Sequence, residues 1–181
     1  MNEVAISVKQ PWAYLLCAEI KPIENRTWPL PEKHIGKRVY IHASGKPEKD
    51  FDFSAEQTIA LNALPEIETN VINSAIIGYV EFSDCVVNHP SIWAEKTPDY
   101  VVGINPKIHE HITGRKIIYN WVVANAVLFD KPILDVKGRL SFWDCSEYIT
   151  SAISELRKDG KLLSNEDIDE ITSVNNSIPH S

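Results

Sequence analysis

Ser7-Val-Lys9-Gln10-Pro11-Trp12-Ala-Tyr-Leu-Leu16, followed closely by Lys21-Pro-Ile-Glu24-Asn25-Arg26-Thr-Trp28, is the stretch from which the fold and the candidate site are read. Its first half reads as a strand end, a turn and an amphipathic helix. Trp12, Leu15, Leu16 and Ile20 recur at helical spacing, predicting a helix from Gln10 to Ile20, and Pro11 suits its first turn. Its second half sets a cation, a carboxylate, an amide and a guanidinium within six residues, between apolar neighbours. Such groups are costly to bury and unnecessary for folding. A cluster of this kind where a helix finishes is expected to converge on a cleft.

Outward from this stretch the chain is strand-rich. Val4 to Val8 predicts a first strand. After Pro29-Leu-Pro31 and Gly36, Lys37 to Ala43 predicts a second, with Val39, Ile41 and Ala43 on a core face and Arg38, Tyr40 and His42 on a face available as a site wall. Phe51 to Leu64 reads as a helix ended by Pro65, and 66–73 as a surface connection. Ser74 to Val87 is the longest strand candidate, with Ile76, Gly78, Val80 and Phe82 on one face and Ile77, Tyr79, Glu81 and Ser83 on the other. Residues 89–114 read as an irregular excursion with one short helix around Trp93. Lys116 to Phe129 and Arg139 to Trp143 predict the last strands. Ser146 to Lys158 predicts a helix, and Ser164 caps another over 165–173. Several short strands, few helices and no strict βαβ alternation favour an α+β chain built on a small β-barrel over a doubly wound parallel sheet.

The 181 residues suit one domain, expected over 1–145, followed by a C-terminal extension over 146–181 whose end is expected to fray. An apolar share of 44% and a charged share of 24% are those of an ordinary globular protein. No apolar run has the length of a membrane span and no leader pattern opens the chain, so a cytoplasmic protein is expected. Cys17, Cys85 and Cys145 lack metal or disulfide spacing and read as reduced thiols. The net charge of −7 is unevenly placed: from Asp144 onward eight acids face three bases, whereas residues 1–46 carry seven bases against four acids. The charged cluster therefore lies in a locally basic segment.

In combination, separated segments resemble the ASCH domains of the PUA-like superfamily. Ser7-Val-Lys-Gln-Pro-Trp-Ala resembles that family's opening run, and Ile20-Lys21-Pro-Ile-Glu24-Asn25-Arg26 its G-x-K-x-x-E-x-R pattern. Tyr40-Ile-His42-Ala-Ser44, Ile77-Gly78-Tyr-Val-Glu81, Tyr119-Asn-Trp121 and Val136-Lys-Gly138-Arg-Leu-Ser-Phe-Trp143 resemble its strands. The resemblance spans roughly residues 4–145. It implies a PUA-like small β-barrel with flanking helices, and a cleft beside the barrel that takes RNA or a nucleoside. Two departures stand out: Ile20 replaces the usual Gly, and Glu24 stands where the amidohydrolases of N4-acetylcytidine carry Thr.

Within that frame Lys21, Glu24 and His42 are the candidate catalytic residues. Lys21 is a candidate oxyanion stabiliser or base, Glu24 an ionised partner of two cations, and His42 a proton donor. Candidate RNA or substrate contacts are Lys9, Gln10, Trp12, Asn25, Arg26, Trp28, Ser44 and Lys46. Arg26 offers bidentate donors, Trp12 and Trp28 stacking faces, Asn25 a base-edge partner, and Ser44 and Lys46 a Gly-containing turn for phosphate. Each also has a structural reading: an ion pair of Arg26 with Glu24 or Glu81, core packing for Trp12 and Trp28, a turn-bonded Asn25 and a satisfied core histidine. His109-Glu-His111 lacks a third ligand, and phosphate-loop, dinucleotide and hydrolase-elbow motifs are absent, so neither metal nor cofactor is expected. The sequence thus supports an RNA or acylated-nucleoside hydrolase on one side and a non-catalytic RNA-binding module on the other, with the acidic extension available to a protein partner.

Overall fold

The computed structural model describes residues 2–64 and 72–158. In chain order they form β1 (Val4–Val8), α1 (Trp12–Cys17), β2 (Ile23–Arg26), β3 (Arg38–Ala43), α2 (Ala55–Asn62), β4 (Ala75–Val86), α3 (Pro106–Thr113), β5 (Tyr119–Ile133), β6 (Phe142–Asp144) and α4 (Ser146–Lys158). The strands make one mixed sheet in the order β2-β5-β4-β3-β1-β6. β1 runs parallel to β3, and the other pairings are antiparallel. Trp28, just past one edge strand, meets Phe142 of the opposite edge strand edge-to-face at 5.7 Å, and Trp121 of β5 stacks on the same Phe142. The sheet is therefore curled until its two ends touch. The result is the α+β, half-barrel architecture that the strand pattern and the PUA-like resemblance led one to expect.

The hollow of the curl is plugged by α1. Ala13, Leu16 and Cys17 join Ile6, Val8, Val39, Ile41, Val80, Phe82 and Trp121 in one buried cluster. Val39, Ile41 and Ala43 lie on that core face as their alternation predicts. The opposite face of β3 is not a site wall. Tyr40 and His42 are fully buried on it, among Phe129, Val136, Trp143 and Ile149, because α4 packs across that side of the sheet.

β4 departs from strict alternation. A register shift between Ile76 and Gly78 lets Ile77 share the inner cluster with Val80 and Phe82, while Ile76 joins Tyr79 in the outer one. At the same place a Cβ on Gly78 would lie 2.0 Å from the Val127 carbonyl oxygen, so the strands approach there at glycine distance.

α1 is shorter than the predicted Gln10 to Ile20 helix. Glu19 adopts φ +60, Ile20 N–H donates to Leu15 O, and Glu19 N–H donates to Leu16 O, which is a Schellman ending. Ile20 then packs with Leu15. α2 likewise starts late, at a capping box in which Ser54 Oγ accepts from Gln57 N and Gln57 Oε1 accepts from Ser54 N. The helix expected around Trp93 is absent. The excursion's helix is α3, capped by Asn105 and ended by Gly114 at φ +68, so His109-Glu-His111 is helical. α4 spans its predicted residues. Pro65, most of the 66–73 connection, and the helix expected over 165–173 lie outside the described residues. Among the described residues no helix is long and apolar enough to cross a membrane.

Candidate functional site

The charged cluster is a strand, not a turn. After α1 the chain reverses, and Lys21 N–H joins Ile20 N–H on the Leu15 carbonyl. Residues 23–26 then pair antiparallel with β5, Glu24 opposite Trp121 and Asn25 opposite Asn120. Residues two apart on a strand share a face, so Glu24 and Arg26 point the same way. Lys21 arrives beside them from the preceding turn.

The three side chains form one network. Lys21 Nζ lies 3.1 Å from Glu24 Oε2 and also donates to the Ile23 carbonyl. Arg26 Nε lies 2.9 Å from Glu24 Oε1, and Arg26 Nη2 donates to the Ser7 carbonyl at 3.0 Å. Lys21 and Glu24 are almost wholly buried, and Arg26 is 22% exposed. Burial works against ionisation of Glu24, but the adjoining Lys21 and Arg26 charges and the Lys21 hydrogen bond outweigh it and hold the carboxyl below its ordinary value. The network is thus an ionised carboxylate between two cations, with one surplus positive charge. Lys21 has three donors, of which these contacts use two. The indole of Trp12 stands 5.7 Å from Lys21 Nζ.

This network lines a cleft of about 590 Å³, whose walls come from distant parts of the chain. Of the residues expected from sequence, Lys9, Trp12, Lys21, Glu24, Asn25, Arg26 and Ser44 line it. Lys9 is engaged by Glu48 at 3.0 Å. Trp12 meets Phe51 and Phe53 edge-to-face, and Phe51 is also on the cleft. Ser44 N–H is held by the Val8 carbonyl.

Four expected residues do not line the cleft. Gln10 is buried, with its Oε1 accepting from Tyr14 N and its Nε2 donating to Ile72 O, so its amide is spent on the fold. Trp28 packs against Trp121 with ring centroids 4.7 Å apart, in the aromatic seam that closes the curl. Lys46 is exposed and is not part of the lining, although Ser44 and Glu48 on either side of it are. His42, the expected proton donor, is buried under Trp143 between Ser7 Oγ and the Val136 carbonyl, and burial lowers its pKa. Glu81, an expected ion-pair partner of Arg26, instead accepts from Asn125 Nδ2 at 2.8 Å.

Asn25 has a different task from the turn asparagine expected of it. Its Nδ2 donates to Trp93 O, and its Oδ1 accepts from Glu95 N and from Asn120 Nδ2. Asn120 in turn donates to Glu95 O and accepts from His89 N. This cross-strand amide pair staples the irregular 89–95 segment against the sheet, and Ile92 to Glu95 become a cleft wall. Sequence reading missed that wall, as it missed Glu48, Asp52 and Gln57, the last of which donates from Nε2 to Ile92 O at 2.9 Å. The signal was two asparagines within strand patterns, where amides are disfavoured unless bonded. The connection at Arg139, Leu140 and Ser141 completes the lining. Four cations (Lys9, Lys21, Arg26, Arg139) face four carboxylates (Glu24, Glu48, Asp52, Glu95) around the cleft.

Among the described residues no group of three or more His, Cys, Asp or Glu is placed to hold a metal. His109 is buried on α3 while His111 is exposed.

No family model matches the chain. Over 84 residues it is 32% identical to activating signal cointegrator 1 of mouse and, equally, of human. That match covers 45% of this chain and 14% of the relative, so the chain spans a small part of the relative's length. Among solved structures, the ASCH protein of Zymomonas mobilis aligns with a TM-score of 0.48 at 16% identity, over 84% of this chain and 94% of that one. A Tyr-to-Phe variant of the same protein aligns with a TM-score of 0.47 at 14% identity, over 86% and 99%.

Proposed function

We propose that this chain is an ASCH-type cytoplasmic protein whose cleft recognises RNA or a modified nucleoside through the Lys21–Glu24–Arg26 network. The observation that carries the reading is the arrangement of that network: two cations fixed by one ionised carboxylate at the wall of a cleft, with a Lys21 donor left over beside the Trp12 ring. A preset donor next to an aromatic face suits a base carbonyl on a stacked ring. The cleft volume falls within the roughly 300–1,000 Å³ of small-molecule sites. The lining's balanced charge favours a base or nucleoside within the cleft over a continuous track of phosphates, which would call for an excess of cations.

Hydrolysis of an RNA backbone or an acylated base is the catalytic form of the same reading. Lys21 and Arg26 would stabilise developing negative charge on the reacting oxygen. Glu24, held ionised by its two partners, would position them rather than supply a proton. His42 does not reach the cleft, which removes the proton donor that sequence suggested. Recognition is accordingly the function the geometry supports best. A protein partner for the acidic extension belongs to the same proposal.

The test is a panel of nucleosides, acylated nucleosides and short single-stranded RNAs, assayed for equilibrium binding and for turnover at high protein concentration. Saturable binding weakened by Lys21→Ala is the expected result, and turnover lost in the same variant would establish the hydrolase. Failure of the whole panel to bind would overturn the reading.

A further inference from the structure

His42 is absent from the cleft lining yet stands one hydrogen bond away from it. Its Nε2 lies 2.9 Å from the Val136 carbonyl, its Nδ1 lies 3.1 Å from Ser7 Oγ, and Ser7 Oγ donates to the Arg139 carbonyl at 3.0 Å. Both Ser7 and Arg139 line the cleft. Gly138 seals the arrangement: a Cβ there would lie 2.4 Å from His42 Nδ1 and 2.7 Å from Ser7 Oγ, so the connection before β6 crosses directly over this pair.

Counting hydrogens gives the arrangement a chemical meaning. Both carbonyls only accept, so one hydrogen must lie on Nε2 and one on Ser7 Oγ. If Ser7 gives its hydrogen to Arg139, then Nδ1 must donate to Ser7, and the ring carries protons on both nitrogens. A neutral ring has one hydrogen fewer. With its proton on Nε2, Nδ1 accepts from Ser7 and the Arg139 carbonyl loses its donor. With the Ser7–Arg139 bond kept instead, two lone pairs face each other across the Nδ1–Oγ gap. Three complete bonds therefore require imidazolium, and the neutral form keeps two.

The geometry points to His42 as a positioning residue, acting through Ser7 to tie the Arg139 segment to β1 when its ring is protonated and to release it when the ring is neutral. Leu140, next along that segment, is 95% exposed, and Ser141 sits at φ +58, so the segment has little side-chain anchorage of its own. Among the described residues, the groups placed against the ring are Ser7 of β1, Ile76 of β4, Val136 and Gly138 of the connection and Trp143 of β6, and none of these is ionisable. Lys137 and Arg139 flank Gly138 on the connection. Burial favours the neutral ring, so the tie forms on the acid side of ordinary histidine titration. As a regulation of the proposed cleft this rests on the nucleoside-binding reading, but the tie itself does not.

The experiment is an NMR pH titration of the full, ligand-free chain, following the His42 ring nitrogens and the amides of Gly138, Arg139 and Leu140. The expected result is a neutral ring with its proton on Nε2, and amide shifts that move with the same midpoint as the ring. In Ser7→Ala the ring should still titrate while the amides lose that movement. A neutral ring protonated on Nδ1, or amides that ignore the ring in the wild type, would overturn the relay, as would amides that follow it unchanged in Ser7→Ala. The wild-type titration decides even where the variant fails to fold. Cytidine binding across the same pH range should then tighten as His42 protonates. Unchanged cytidine affinity would remove the coupling to the cleft, whereas absence of cytidine binding at every pH would count against the nucleoside reading and leave the relay to the titration.

Discussion

Lys21 Nζ and Glu24 Oε2 lie 3.1 Å apart in a part of the molecule where both side chains are almost wholly buried. A pair in that position seldom improves stability over apolar packing, because desolvation offsets its attraction. Breaking one side is another matter. Glu24→Gln would leave Lys21 and Arg26 side by side without a counter-charge, and a loss of about 3 kcal/mol or more is expected. Urea unfolding midpoints of the variant and the wild type check this, and a midpoint shift worth under about 1 kcal/mol would show the carboxylate to be expendable.

The same carboxylate gives stability an acid limb. The folded state holds Glu24 ionised below the ordinary carboxylate range, so the unfolded chain takes up its proton first as pH falls. Its contribution is complete above the unfolded value near 4.5 and disappears as pH drops through the lower folded value. His42 adds a separate limb of the same sign. Burial favours its neutral form, so stability falls as pH drops below its ordinary 6.5. Thermal melts between pH 3 and 8 should show both limbs, and Glu24→Gln should flatten only the more acidic one.

How much of this was legible in the chain varied with the range of the interactions involved. Alternation at Val39, Ile41 and Ala43 identified a core face correctly because that face depends on period alone. It could not tell that Tyr40 and His42 lie under α4, since cover for a second face comes from residues about a hundred positions later. Lys21, Glu24, Asn25 and Arg26 were singled out by their chemistry and do line the cleft, but the strand over 23–26 depends on pairing with residues 119–122. The 92–95 wall was invisible for a related reason: it is irregular backbone held by Asn25 and Asn120, and neither asparagine carries a local periodic signal. His42 was misassigned because a strand-borne histidine in a polar alternation reads alike whether it faces solvent or a carbonyl-lined interior.

Three glycines should respond very differently to alanine. Gly78→Ala drives a methyl into the Val127 carbonyl at the irregular β4–β5 register, and a cost of about 3 kcal/mol is expected. Gly36 has open space but φ +64, so alanine there should cost only about 1 kcal/mol of backbone strain. Gly138→Ala would push on the His42 ring and Ser7 together, and should displace the Arg139 segment as well as destabilise the fold. Chemical denaturation of the three variants ranks them, and equal costs at 78 and 36 would contradict the close approach of β4 and β5.

Asn25→Ala should act on the cleft wall without touching its charges. It removes a bond to Trp93 O and the acceptor of Glu95 N and Asn120 Nδ2, for an expected loss of about 1–3 kcal/mol. Hydrogen exchange over 89–95 should rise while the strand amides keep their protection. Unchanged exchange there would mean that Asn120 and Gln57, which donate to Glu95 O and Ile92 O, hold the wall without Asn25.

The central claim is tested most directly by calorimetric titration of cytidine and a short single-stranded RNA into the wild type and Lys21→Ala, with circular dichroism confirming that the variant is folded. The cleft account predicts saturable binding by the wild type that weakens at least about tenfold in Lys21→Ala, as for a lost charge-assisted hydrogen bond of about 1.5–3 kcal/mol. Equal affinity in the two folded proteins would contradict it and leave the Lys21–Glu24–Arg26 network as a brace of the strand junction.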